Sequence, residues 1–129
     1  MSVQIPETLS FDEVFKERKG FILSEGEIHV WNVSLDCDNV LTEKYKKALS
    51  EQELQRISFF KFENIQNNYL VSQGALRLLL SVYLNATPDK IIIGRHSKGK
   101  PFPIEFPQLR FNMSNSGRKV IFAFSPFRP

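Results

Sequence analysis

The chain has 129 residues, the length of one ordinary domain, and its 42% hydrophobic and 24% charged residues are the balance of a globular protein with a real core. A formal net charge of +3 at pH 7 suits an anionic ligand but falls far short of what nucleic acid demands. One cysteine, Cys37, excludes an intrachain disulfide; no apolar run approaches a membrane span, and Met1–Pro6 lacks the basic and apolar regions of a signal peptide, so a cytoplasmic location is expected.

In chain order, the first polar stretch, Lys16–Gly20, reads as a helix end or loop. Residues 27–33 place Ile28, Val30 and Asn32 on the opposite face from His29, Trp31 and Val33, which predicts a strand buried on at least one side. From 41 to 62 the pattern turns helical. Ser50 and Glu53 have the spacing of a capping box, so a helix is expected to start near Ser50. Leu54, Ile57 and Phe59 or Phe60 follow at helical spacing, with Arg56 on a different face. A longer helix is expected over 65–85, where Ile65, Tyr69, Leu76, Leu79, Leu80 and Tyr83 form a wide apolar stripe. Gly74 and Ala75 permit close packing there, and Asn85 with Pro88 ends the helix. Both helices read as core elements, and Arg77, within the second, reads as one half of an internal ion pair.

The rest of the chain is strand-rich. Ile91–Gly94 reads as a short buried strand, Leu109–Met113 as another and Val120–Phe124 as a third. Ser114-Asn115-Ser116-Gly117 has hairpin-turn chemistry, because Ser and Asn bond local backbone and Gly tolerates positive φ. The order of strand, helices and strands indicates an α+β domain, with helices packed on a mainly antiparallel sheet.

Between the first two of these strands lies the tract Arg95-His96-Ser97-Lys98-Gly99-Lys100, closed by Pro101. Gly99 lets backbone approach a ligand, Pro101 fixes the exit, and the cations suit a phosphorylated ligand through charge-assisted hydrogen bonds. Read by itself, the tract is first of all a solvated basic turn. Arg56 is open to two readings, a solvated helix charge or a phosphate ligand. His29 reads as structural, Cys37 has no neighbourhood that would activate it, and no carboxylate or cysteine cluster suggests a metal.

Four segments, taken in order, give the chain a specific resemblance. They are Leu49-Ser50-Glu51 followed by Arg56 and Phe60; Gly74-Ala75-Leu76-Arg77 with Leu80; Gly99-Lys100-Pro101; and Phe111-Asn112-Met113-Ser114-Asn115-Ser116-Gly117 leading into an apolar strand. Together, over roughly residues 28–125, they resemble the N-terminal half of 4'-phosphopantetheinyl transferases of the surfactin-synthetase-activating type, in the holo-acyl-carrier-protein synthase superfamily. The resemblance implies one half of a pseudo-dimer of two α+β halves with coenzyme A between them. It implies transfer of the phosphopantetheine arm of coenzyme A to a serine of an acyl, peptidyl or aryl carrier protein. By position it implies that Arg56 approaches a coenzyme phosphate, that Arg95, His96, Ser97, Lys98, Gly99 and Lys100 wrap the adenosine and its phosphate, and that Asn112, Met113, Ser114 and Asn115 complete that wall.

Three departures from the family pattern stand out. Asn115 occupies a position where relatives usually carry histidine, and it donates a hydrogen bond without supplying charge. Asn67 and Asn68 lie where basic residues are common. The acidic hydrophobic-Gly-hydrophobic-Asp-hydrophobic-Glu motif that binds magnesium in relatives, and the Trp-x-x-Lys-Glu helix after it, have no match before the chain ends at Pro129. The expectation is therefore a single domain over 1–129, the coenzyme A-binding half, with the metal-binding half absent and no transfer by this chain alone. Two alternatives stay open: a stand-alone coenzyme A or nucleotide binder that dimerises, and a small nucleic-acid binder using Arg95, Lys98, Lys100, Arg110, Arg118 and Lys119.

Overall fold

Two strands open the described chain, β1 (Ser2–Gln4) and β2 (Glu27–Ser34), paired in parallel with Val3 opposite Ile28. The structure is a computed structural model that describes residues 2–4, 27–95, 97, 99–106 and 109–126, with 2–4 and 27 as backbone only. Lys16–Gly20 therefore lies outside the described residues. In β2 the expected alternation holds: His29, Trp31 and Val33 are buried while Ile28, Val30 and Asn32 are half-buried.

The helical stretch is two helices, not one. Helix α1 (Asn39–Ala48) begins under its own cap, with the Leu41 amide donating to Asp38 Oδ1 at 2.8 Å, and ends on Lys46 and Lys47, which complement the carbonyl end of the dipole. Leu49 and Ser50 are both extended, so the chain breaks before helix α2 (Glu51–Ile57) starts. There the capping box forms as expected: the Glu53 amide donates to Ser50 Oγ, and the Ser50 amide donates to Glu53 Oε1 at 3.0 Å. Contrary to expectation, α2 buries no residue, and Leu54 is 43% exposed. Seven residues are two turns, too few to present a wide apolar stripe while also carrying a cap and three charged side chains.

Helix α3 (Glu63–Leu84) is the axis of the domain. It is buried almost all round from Leu70 to Ser81, because α1 lies on one side and the sheet on the other. Its stripe starts later than the periodicity suggests, since Ile65 is 44% exposed. Gly74 is needed for closeness: a Cβ there would lie 2.6 Å from Tyr45 Cβ on α1. The helix stops at Asn85, which adopts the left-handed conformation at φ 51°.

After a short 3-10 turn at Pro88–Lys90, strands β3 (Ile93–Arg95) and β4 (Pro101–Pro103) form a separate two-stranded ribbon, Arg95 opposite Pro101. The triple isoleucine is not a buried strand: Ile91 is buried, Ile92 is 54% exposed and the strand begins only at Ile93. Ribbon edges tolerate Pro101 and Pro103, whose missing amides deprive no neighbour of a bond. Strands β5 (Leu109–Ser116) and β6 (Lys119–Pro126) then complete the main sheet, in the order β1-β2-β6-β5, antiparallel except for the first pair. The hairpin turn sits two residues later than its chemistry suggested. Ser114, Asn115 and Ser116 are strand residues paired with Ile121, Val120 and Lys119, and the loop is Gly117-Arg118 with Gly117 at φ 63°. A two-residue loop with glycine first matches the twist of its strands, and that outweighs the local Ser and Asn preference.

The core lies between α3 and the inner face of this sheet. Trp31, Val33, Val120, Phe122, Phe124, Leu109 and Phe111 meet Val71, Ala75, Leu76, Leu79 and Leu80, all 7% exposed or less. Each such side chain contributes about 1.5–3 kcal/mol on burial. Phe124 stacks obliquely on Tyr83, ring centroids 4.7 Å apart. The Tyr83 hydroxyl accepts from Trp31 Nε1 at 2.8 Å and bonds His29 Nδ1 at 2.7 Å, which gives His29 the structural role expected of it. The fold is α+β, helices on a mainly antiparallel sheet, as the sequence indicated.

Candidate functional site

The buried guanidinium of Arg77, 5% exposed, organises one end of the domain. Its Nε donates to Glu53 Oε1 at 2.5 Å, and Nη1 donates to the carbonyls of Pro88 at 2.9 Å and Ile91 at 2.7 Å. The internal ion pair expected of Arg77 is thus present. It ties the first turn of α2 to the turn that feeds β3. Arg56 projects from the last turn of α2, and Arg95 ends β3, so both exposed cations hang from elements that Arg77 holds.

The ribbon gives the basic tract its shape. Arg95 and Pro101 pair across it, leaving five residues to close the loop. Gly99 takes φ 86°, a conformation that favours glycine, and nothing lies within 4 Å of where its Cβ would be, so torsion and not space requires glycine here. Arg95 Nη1 donates to the Gly99 carbonyl at 2.9 Å, folding the side chain across the loop mouth. Ser97 and Gly99 are exposed and Lys100 is half-buried; His96 and Lys98 lie outside the described residues.

Tyr69, on α3, belongs to the apolar stripe and keeps a polar tip. Its ring packs against Phe60, centroids 5.3 Å apart, and Phe60 is fixed in turn by Gln66 Nε2 donating to its carbonyl at 2.6 Å. Burial pushes the Tyr69 phenol above its ordinary value of 10.0 and the Glu53 carboxylate adds to that, while Arg56, Arg77 and Arg95 pull it back.

Asn112, Met113, Ser114 and Asn115 lie apart from this cluster, all exposed on β5, the last strand of the main sheet. Strand alternation puts Met113 and Asn115 on the face of Phe111, toward the helices, and Asn112 and Ser114 on the other. The four thus form a strip on two faces. β4 packs beside β5, so this strip borders the ribbon.

Arg118 is paired with Asp36, Nε donating to Oδ2 at 2.9 Å, and this contact holds the Asp36 carboxyl below its usual range. Cys37 Sγ lies 3.2 Å from Thr42 Oγ1. Among the described residues no group of three or more His, Cys, Asp or Glu side chains is placed to hold a metal ion, and no helix is long and apolar enough to cross a membrane.

A family model described as 4'-phosphopantetheinyl transferase, N-terminal, matches residues 38–127. The chain belongs to this family. The matched region contains Arg56, Tyr69, the whole basic loop and Asn112–Asn115. Of curated proteins, the family member L-aminoadipate-semialdehyde dehydrogenase-phosphopantetheinyl transferase of Xenopus laevis is 29% identical over 87 residues, covering 64% of this chain. The chain spans 29% of the length of that relative. Of solved structures, holo-[acyl-carrier-protein] synthase from Neisseria meningitidis superposes with a TM-score of 0.50 at 18% identity, covering 78% of this chain and 97% of that one. At that identity the likeness shows the shared α+β fold.

Proposed function

We propose that this chain is the coenzyme A-binding N-terminal half of a cytoplasmic 4'-phosphopantetheinyl transferase, whose reaction moves the phosphopantetheine arm of coenzyme A onto a carrier-protein serine. The observation that carries this reading is the ribbon loop between Arg95 and Pro101, where Gly99 takes φ 86° and its carbonyl accepts from Arg95 Nη1 at 2.9 Å, inside the family-matched segment. Coenzyme A carries several phosphate charges, and a hydrogen bond to a charged group is worth about 1.5–3 kcal/mol. In this reading Arg56, Arg95 and Lys100, with His96 and Lys98 of the same tract, hold phosphate and adenosine. Ser97 and Gly99 shape the loop. Asn112, Met113, Ser114 and Asn115 supply a bordering strip.

Magnesium would neutralise the charge that develops at the pyrophosphate during transfer. The described residues offer no set of carboxylates that would hold it. Four large apolar side chains, Leu54, Phe59, Phe62 and Ile65, are 43%, 81%, 63% and 44% exposed on α2 and at the start of α3, which supports a packed partner there, either a C-terminal half or a second copy.

Titration calorimetry of the purified chain with coenzyme A tests the binding claim. Saturable binding that Arg56→Ala and Arg95→Ala each weaken is expected; no binding by the wild-type chain would overturn it. Incubation with coenzyme A, magnesium and an apo carrier protein is expected to leave the carrier mass unchanged. A mass increase of one phosphopantetheine would refute the claim that the chain does not act alone.

A further inference from the structure

We propose that the free edge of β5 is a homodimerisation surface, on which the same strand of a second copy pairs antiparallel about a two-fold axis at Met113. The inference rests on sheet topology and strand register, and it stands whether or not the chain binds coenzyme A.

β5 closes one end of the main sheet: it pairs with β6 and, among the described residues, with no other strand. Neighbouring β4 packs beside it but belongs to the separate ribbon. Residues 112–116 are all exposed. The direction of their backbone groups follows from the hairpin. Gly117 and Arg118 form a two-residue loop, so Ser116 and Lys119 are the hydrogen-bonded pair that closes it. Alternation along an antiparallel ladder then turns the backbone of Asn112 and Ser114 toward β6, and that of Phe111, Met113 and Asn115 outward. At the other end of the strand the Leu109 amide, in step with the outward set, donates to the Phe106 carbonyl at 3.1 Å, outside the β6 ladder. Both ends of the strand give the same assignment.

An open edge of this kind templates another strand, and proteins blunt it with charges, proline or bulges. β5 uses none of these from Phe111 to Gly117. Phe-Asn-Met-Ser-Asn-Ser-Gly holds no charged residue and no proline, in a chain that is 24% charged, and its register on β6 runs without a bulge from Leu109 to Ser116.

The missing charge also selects the occupant. In an antiparallel pair of identical strands the central residue faces its own copy, so a charged centre repels itself and a neutral one does not. Centred on Met113, all of the outward residues are used. Met113 pairs with the partner's Met113, and Phe111 with the partner's Asn115, each pair exchanging both backbone bonds. Arg110 then lies opposite the partner's Ser116, and Arg118, the cation beyond it, is already paired with Asp36. Centring on Phe111 would oppose Met113 to Leu109, whose amide is spent on Phe106. Centring on Asn115 would oppose Met113 to Gly117, in the loop.

Sedimentation of the purified chain over a concentration series is expected to show a reversible monomer–dimer equilibrium. Met113→Lys sets two ammonium groups against each other and is expected to raise the dissociation constant about ten-fold or more. Met113→Glu is expected to do the same, and mixing the two variants to restore the dimer. Met113 is 38% exposed, so both variants should unfold at the wild-type temperature. Amide exchange reads the edge without any substitution. The Phe111, Met113 and Asn115 amides are expected to gain protection as concentration rises, whereas those of Asn112 and Ser114 are protected by β6 at every concentration. Wild type that stays monomeric throughout would overturn the proposal. So would a dimer that Met113→Lys leaves within about two-fold and Phe59→Ser abolishes, which would place the contact on the apolar side chains after α2 instead.

Discussion

Arg77→Met tests whether the buried guanidinium holds this end of the domain together. The substitution keeps most of the apolar stem and deletes three donated hydrogen bonds, to Glu53, to the Pro88 carbonyl and to the Ile91 carbonyl. With side-chain exposures of 5% and 15%, Arg77 and Glu53 are shielded from water that would otherwise compensate. Removing one partner of such a pair strands the other charge, at a cost of about 3–5 kcal/mol. That is a large share of the roughly 5–15 kcal/mol that stabilises a whole domain. Glu53→Gln retains an acceptor and a capping side chain, leaves the two carbonyl bonds in place, and is expected to cost about 1–3 kcal/mol. The double variant strands neither charge, so its loss should fall short of the sum by about 0.5–3 kcal/mol. Urea unfolding followed by the emission of Trp31, the one tryptophan and a core residue, reads all three losses. An Arg77→Met loss below about 1 kcal/mol, or additive losses in the double variant, would refute the clamp.

Gly74→Ala places a methyl 2.6 Å from Tyr45 Cβ and 2.9 Å from Tyr45 Cα. Helix propensity favours alanine by about 1 kcal/mol, but the clash is with the body of α1, so net destabilisation of about 1–2 kcal/mol in urea unfolding is expected. Gly99→Ala meets no neighbour and forces φ 86° on a residue with a Cβ, so coenzyme A affinity should drop several-fold while the melting temperature hardly moves; an unchanged affinity would show that loop shape is irrelevant to the ligand. Burial raises the Tyr45 and Tyr83 phenols well above their ordinary 10.0. A raised phenol is favoured protonated in the fold, so the stability it contributes is complete below about pH 10 and is lost as pH rises beyond it. Urea midpoints measured from neutral pH upward should be level, then decline above about pH 10; a decline that begins near pH 8 would contradict this.

The elements with strong periodicity or specific caps were legible in the sequence. Ser50 with Glu53 marks the start of α2, Asn85 ends α3, and β2 shows its buried face through His29, Trp31 and Val33. What was not legible depended on partners far along the chain. The separate helix over Asn39–Ala48, capped by Asp38, carries no spacing as plain as the Ser50 and Glu53 pair. The exposure of Ile92 depends on Arg77 capturing the carbonyl of Ile91, which fixes the chain before β3 begins. The hairpin turn was displaced because strand pairing from Leu109 to Ser116 sets the register, leaving only Gly117 and Arg118 to turn. Of the candidate site, the loop and Arg56 are singled out in the sequence by charge and the family resemblance.

The absence of any buried residue on α2 has a consequence for how the domain opens. Segments that bury little and rely on polar tethers detach at a lower free energy than the global transition. Amide protons of α2 should therefore exchange with solvent well before those of α3, whose middle is enclosed from Leu70 to Ser81. Arg56 rides on the labile unit, whereas Tyr69 rides on the durable one. A ligand held by Arg56 would slow the exchange of α2, so the native chain would carry its own local reporter of occupancy.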